Sequence, residues 1–263
     1  IRARMKLFAL LVLSPAAAAS LTRTPPARAF PALRHPHRRA ALSALALPAA
    51  SLAALRGGAT ALPSAPALAI ASFLPTCLGF WKTGYAVSYG YGGAMLAAGV
   101  LTLRSHVGAL AAAHAAALCF YGLRLNLFLL YRELALPESV HQMKRRDASL
   151  SSRLKRAPVI IGCSFLYFCM AAPLRLTARA SAQGLATAQG AAVALAFVGF
   201  GVAAVGDIWK AAVKARRGAD HLVTSGPFRR LRHPNYTGEC FGWTASFVVA
   251  VLATGCSSGA SWR

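Results

Sequence analysis

Gly226–Glu239 reads GPFRRLRHPNYTGE and stands between two apolar runs. Pro234 disfavours helical backbone at His233 but fits the first turn of a helix. The stretch therefore predicts an extended basic approach over residues 229–233 and a helix from about Pro234. Asn235 and Glu239 then fall one turn apart on one helical face. The unpaired N–H groups and positive dipole end of that helix add to Arg229, Arg230, Arg232 and His233, a combination that suits a phosphate or a carboxylate. Topology alone also places cations beside a spanning helix, but it does not require the Asn-Tyr-x-Gly-Glu set that follows.

The rest of the chain supplies the membrane. Of its 263 residues 57% are hydrophobic and 13% charged, which lies outside the range of soluble domains. Apolar stretches long enough to span, or nearly so, are 67–81, 85–103, 107–131, 157–174, 185–208 and 241–256. The reading is an all-α polytopic membrane bundle of about six transmembrane helices, the first and last marginal. One loop carries Arg132, Lys144, Arg145, Arg146, Arg153, Lys155 and Arg156, and another runs basic from Lys210 to His233. Two crossings separate these loops, so both face the cytosol or its equivalent, and the arginine-poor segment 175–183 faces the other way. The net charge of +23 thus belongs to a leader and two loops and does not indicate a nucleic acid partner. Gly90, Gly92, Gly93, Gly199 and Gly201 are placed to let helices approach closely.

The first 66 residues read as a targeting leader, and 67–263 as the membrane domain. No acid precedes Glu133, and the opening is rich in arginine and alanine. Met5 is the expected start, Ala27-Arg28-Ala29 a small-x-small cleavage site, and Phe30 to about Pro66 a transit peptide. The arrangement is similar to the two-part leader of complex algal plastids. A secretory signal, which would lead to the endoplasmic reticulum, and a mitochondrial presequence are the alternatives, and Arg38-Arg39 also allows a twin-arginine signal. Ile1–Arg4 and the polar ending SSGASW give the chain the look of a fragment.

Six cysteines without C-x-x-C spacing, mostly inside apolar runs, read as small buried hydrophobes. His106, His114, His141 and His221 show no ligand spacing, so no metal site is expected.

Two further clusters accompany the opening motif. In Tyr121–Glu133, YGLRLNLFLLYRE, Arg124 and Asn126 lie well inside an apolar helix. An ionisable group there is costly unless paired or wetted, which makes Arg124 a candidate for a polar cavity; snorkelling, or pairing with a structural acid, is the alternative. In Gly206–Lys214, GDIWKAAVK, helical spacing puts Asp207, Lys210 and Lys214 on one face. They could meet a ribose and a phosphate, or form a helix-end salt bridge.

With all three clusters in order over about residues 85–256, the chain resembles the steroid 5-alpha-reductase-like membrane superfamily, in particular the branch described by a steroid 5-alpha-reductase C-terminal domain. The resemblance implies a helical membrane enzyme holding NADPH in its C-terminal half and a lipophilic substrate above it. By position it assigns Asn235, Tyr236 and Glu239 to the nicotinamide end, Arg229, Arg232 and His233 to phosphate or ribose, and Asp207, Lys210 and Lys214 to the same cofactor. The implied reaction is hydride delivery to an activated C=C or carbonyl of an isoprenoid or sterol-like lipid, with Tyr236, Tyr121 or Tyr131 giving the proton. Trp209 departs from the pattern, which usually has a polar residue there. Isoprenylcysteine and phospholipid methyltransferases have a similar Gly-Pro-Phe and Arg-His-Pro ending, so S-adenosylmethionine chemistry is an alternative. A non-catalytic lipid-binding protein is another.

Overall fold

The computed structural model describes residues 63–105, 107–135, 153–179 and 186–255. The leader up to residue 62, Lys144–Arg146, Gln183 and Cys256 lie outside the described residues. Helix α1 is Ala65–Thr76, followed by a 3₁₀ turn at Cys77–Phe80, α2 at Thr83–Val87 and α3 at Tyr89–Leu103. Then come α4 (Ala109–Ala135), α5 (Ala157–Arg179) after a 3₁₀ turn at Leu154–Arg156, α6 (Ala186–Arg217) and α7 (Pro234–Gly255). No strand occurs among the described residues.

Five stretches are long and apolar enough to cross a membrane, namely Thr83–Leu103, Ala109–Leu134, Leu154–Arg179, Thr187–Arg217 and Pro234–Thr254. The expected first span is not among them. Ser64 starts α1 by accepting from the Ala67 amide at 3.2 Å, yet the helix has 12 residues, or about 18 Å, against a hydrocarbon core of about 30 Å. Pro75 sits near its end, and the chain tightens into the 3₁₀ turn. The last span is longer than expected, because α7 does begin at Pro234.

The helices alternate in direction, and contacts between their ends show how. Near the basic loops Lys82, just ahead of α2, pairs with Glu133 at the end of α4 at 3.2 Å. Arg156 there donates to the carbonyls of Phe80 and Trp81, at 3.2 and 2.7 Å. At the opposite end His114 of α4 meets Thr177 of α5 and Ser246 of α7, and Gln189 of α6 donates to the Leu252 carbonyl of α7 at 3.3 Å. The described ends of both basic loops therefore share one face, as the charge pattern requires.

Helices α6 and α7 are joined by a seam of small residues. A Cβ on Gly238 would stand 2.6 Å from the Gly199 carbonyl oxygen and 3.0 Å from the Ala203 Cα. A Cβ on Gly206 would stand 2.8 Å from the Asn235 amide nitrogen. The α3–α4 seam is similar, since a Cβ on Gly122 would lie 2.7 Å from the Leu96 nitrogen. Gly90, Gly92, Gly93 and Gly199 do sit at such contacts, but Gly201 meets nothing within 4 Å. The cysteines also depart from expectation: Cys77, Cys119 and Cys163 are half-buried and Cys169 and Cys240 exposed, on helix faces left to lipid.

Replacing Gly238 by valine puts side-chain carbons where backbone now stands, and overpacking of this kind costs about 1–3 kcal/mol or more. The variant should lose thermal stability by several degrees in detergent, whereas Gly201→Val should melt like the wild type.

Candidate functional site

The α6–α7 seam delivers two carboxylates to one arginine. Arg124 projects from the middle of α4, with only 2% of its side chain exposed. It donates through Nη1 to Asp207 of α6 at 2.7 Å and through Nη2 to Glu239 of α7 at 3.1 Å. Asn235, one turn before Glu239, donates through Nδ2 to the other Asp207 oxygen at 3.1 Å. Gly206 makes this last bond possible, because it lets the first turn of α7 rest on α6 beside Asp207. Burying an ion costs several kcal/mol, and a shared, hydrogen-bonded geometry is what offsets it.

Aromatic rings close the network on one side. The Arg124 guanidinium lies over the Tyr121 ring at 4.7 Å from its centroid. Tyr121 packs against Phe200 at 4.7 Å and edge-on to Trp243 at 5.1 Å. Tyr91 stacks on Tyr167 at 4.9 Å and meets Tyr121 at 5.2 Å. Inside this cluster the Tyr121 hydroxyl and the Trp243 indole N–H are buried. The Tyr121 hydroxyl stands beside Glu239 and Tyr91. Two donors are thus held in an apolar enclosure next to an arginine and two carboxylates.

The basic rim sits outside this enclosure. Arg229, Arg230, Arg232 and His233 are all exposed ahead of the N-terminus of α7. Their approach is not extended as expected: Gly226–Arg229 forms a 3₁₀ turn and Arg230 remains in the right-handed helical region. Gly226, at φ 61°, takes a conformation few other residues adopt, and a Cβ there would run into the Trp209 ring. Trp209 also donates to the Ser225 hydroxyl at 3.4 Å, which gives the unusual residue a role in shaping this turn.

The expected grouping of Asp207 with Lys210 and Lys214 does not form. Asp207 turns inward to Arg124 and Asn235, Lys210 is exposed, and the Lys214 ammonium caps the Ala219 carbonyl. The buried guanidinium attracts the carboxylate more strongly than a lysine in water does. Of the three tyrosines, Tyr121 lies directly against Arg124. Tyr236 is 62% exposed on the outer face of α7 with its ring beside His233, and Tyr131 packs with Phe128, Ile208 and Ala211. Asn126 is buried in the α3–α4 seam against Gly92, apart from Arg124, and its Oδ1 has no partner.

Two polar clusters escaped the sequence reading. Glu133 accepts from Tyr85, from Tyr89 at 2.9 Å and from Lys82 at 3.2 Å. His114 is bonded through Nδ1 to Thr177 at 3.1 Å and through Nε2 to Ser246 at 2.7 Å. The Thr177 hydroxyl gives its proton to the Pro173 carbonyl, so its oxygen accepts from Nδ1–H and Ser246 donates to Nε2. Their members lie 44 to 132 residues apart, which no local spacing reveals.

The fold and site together define a polytopic helical membrane protein with a buried arginine–carboxylate centre and a basic rim outside it. The family described as "Protein of unknown function (DUF1295)" matches residues 86–261, and the chain belongs to it. No curated protein and no solved structure matches the chain.

Arg124→Ala leaves two carboxylates uncompensated in the bundle and should destabilise it by about 3–5 kcal/mol. Adding Asp207→Asn and Glu239→Gln to that variant should restore much of the loss. Equal melting of the single and triple variants in detergent would show that the pairing contributes nothing.

Proposed function

We propose that the protein is a membrane reductase that uses NADPH to saturate an activated C=C, or reduce a carbonyl, of a lipophilic isoprenoid or sterol-like substrate. The observation that carries this reading is the Tyr121 hydroxyl, a proton donor buried over Arg124 and beside Glu239. Of the three phenols considered, it is the one enclosed with the charged network, so Tyr121 is assigned the proton transfer.

The donor set suits a nicotinamide dinucleotide. Arg229, Arg232 and His233, with Lys210 on the adjoining helix, offer phosphates a cationic rim at a helix N-terminus. Asn235 retains an unpartnered Oδ1 and, with Glu239, faces the enclosed side, where an amide could be held. When bound, the cofactor supplies hydride. The chain's part is to hold the lipid against the Tyr91, Tyr121 and Trp243 rings, exclude water and give a proton from the Tyr121 oxygen. Arg124 stabilises the phenolate left behind, and burial makes that charge interaction stronger than it would be in water. S-adenosylmethionine is a second reading, because two carboxylates beside a cluster of aromatic rings also suit a sulfonium.

With the full chain in lipid nanodiscs, NADPH should bind more tightly than NADH or S-adenosylmethionine. Losing the charge-assisted contact in Arg232→Ala should weaken NADPH by about ten- to a hundredfold. Tyr121→Phe should bind NADPH normally but oxidise it with an isoprenoid enone about 10²–10⁴ times more slowly, while Tyr236→Phe keeps wild-type turnover. Tightest binding of S-adenosylmethionine, or full turnover by Tyr121→Phe, refutes this reading.

The leader directs this activity, in the same proposal, to a plastid-related membrane. A fluorescent fusion carrying Phe30→Ala should stop short of the plastid; unchanged delivery points to an ordinary presequence.

A further inference from the structure

We propose that the basic face of the protein docks on anionic phospholipid headgroups, with Leu154 and Leu222 inserted between them as apolar wedges. These are the two most exposed large hydrophobic residues described, at 81% and 78%. Leu154 is the first residue of the Leu154–Arg179 span and Leu222 lies beyond the end of the Thr187–Arg217 span, whereas the next most exposed large hydrophobic residue is Phe165 at 68%. Leu154 opens the 3₁₀ turn ahead of α5, and Leu222 follows the end of α6. Both therefore sit on the face that carries the described ends of the basic loops.

Cations surround them. Exposed Arg153 and Lys155 flank Leu154, and Arg216, Arg217 and Arg230 occupy the other loop. Among the described acids of this face, Glu133 is held by Lys82, and Asp207 and Glu239 by Arg124. Asp220 is left as an exposed acid against the arginines. The positive-inside rule explains the sign of these loops, but it does not explain apolar side chains four-fifths exposed among the charges. A leaflet boundary explains both, since methyl groups enter the acyl region while guanidinium and ammonium groups stay with the phosphates.

The wedges are also held in place. Arg156 ties the Leu154 turn to the Phe80 and Trp81 carbonyls. Beyond α6, Lys214 bonds the Ala219 carbonyl and Arg217 lies 3.3 Å from the His221 Nε2, folding the segment before Leu222 back onto the helix. The chemistry recognised is thus a phosphodiester presented at the edge of a hydrocarbon layer.

The test uses the full chain in vesicles containing spin-labelled phosphatidylglycerol or phosphatidylcholine. Wild type should favour phosphatidylglycerol by at least about fivefold, the factor expected from one arginine near an anionic surface. High salt should abolish the preference, and Lys155→Gln with Arg217→Gln and Arg230→Gln should reduce it toward unity. A photoreactive benzoylphenylalanine replacing Leu222 should attach to phosphatidylglycerol. Attachment to protein alone, an unchanged preference in the triple variant, or loss of preference in millimolar inorganic phosphate would each overturn the proposal, the last by identifying a free-phosphate site instead. None of these readouts depends on cofactor binding or turnover.

Discussion

A single guanidinium buried in an apolar bundle sets the terms for everything around it. Arg124 cannot be left alone at its depth, so α6 and α7 must each present a carboxylate to it. To do so at hydrogen-bonding distance the two helices have to approach until their backbones touch, which is what the glycine seam allows. Two acids around one base bring more acidic than basic groups to this centre, and the positive helix start at Pro234 and the arginines beyond it favour the ionised carboxylates. Seam, network and rim are therefore consequences of one another.

The fold was legible because its signals are local. Apolar runs, loop charges and Pro234 define which segments cross, in which direction, and where α7 starts. The first span is marginal in the structure as in the sequence: 67–81 has the composition of a span, but Pro75 and the tightened turn after it keep α1 short. The site was legible only in its membership. Arg124 stood out as an ionisable residue inside an apolar helix, Asp207 as an acid on a basic helix end, and Asn235 and Glu239 as members of the Asn-Tyr-x-Gly-Glu set, but their mutual pairing did not. Helical spacing grouped Asp207 with lysines one and two turns away, whereas the carboxylate follows the strongest field, which comes from another helix. Tyr91, Tyr167 and Trp243 carry no local signal, because what distinguishes them is the tertiary packing around Tyr121.

The two ends of the bundle are held by different chemistry. On the basic side ionic contacts predominate, at Arg124 and at Glu133. On the other side the described helices are pinned by neutral groups, with His114 between two hydroxyls and Gln189 on a carbonyl. A neutral pin carries no charge to desolvate, so it suits an end where no acid is available among the described residues. Charge is thus concentrated where the proposed chemistry would use it.

The long sequence separation within the arginine network also bears on how the protein is made. Arg124 emerges 83 residues before Asp207 and 115 before Glu239. At about 5–20 residues per second, synthesis takes roughly 4–17 s to cover the first of those intervals. If insertion accompanies synthesis, α4 enters the bilayer during that time with its cation uncompensated, and has to stay at the edge of the translocation machinery, tilt, or draw water and headgroups inward. Only when α6 and α7 arrive can α4 settle at its final depth. The arginine that organises the finished bundle therefore also makes its assembly sequential, with the C-terminal half licensing the helix that preceded it.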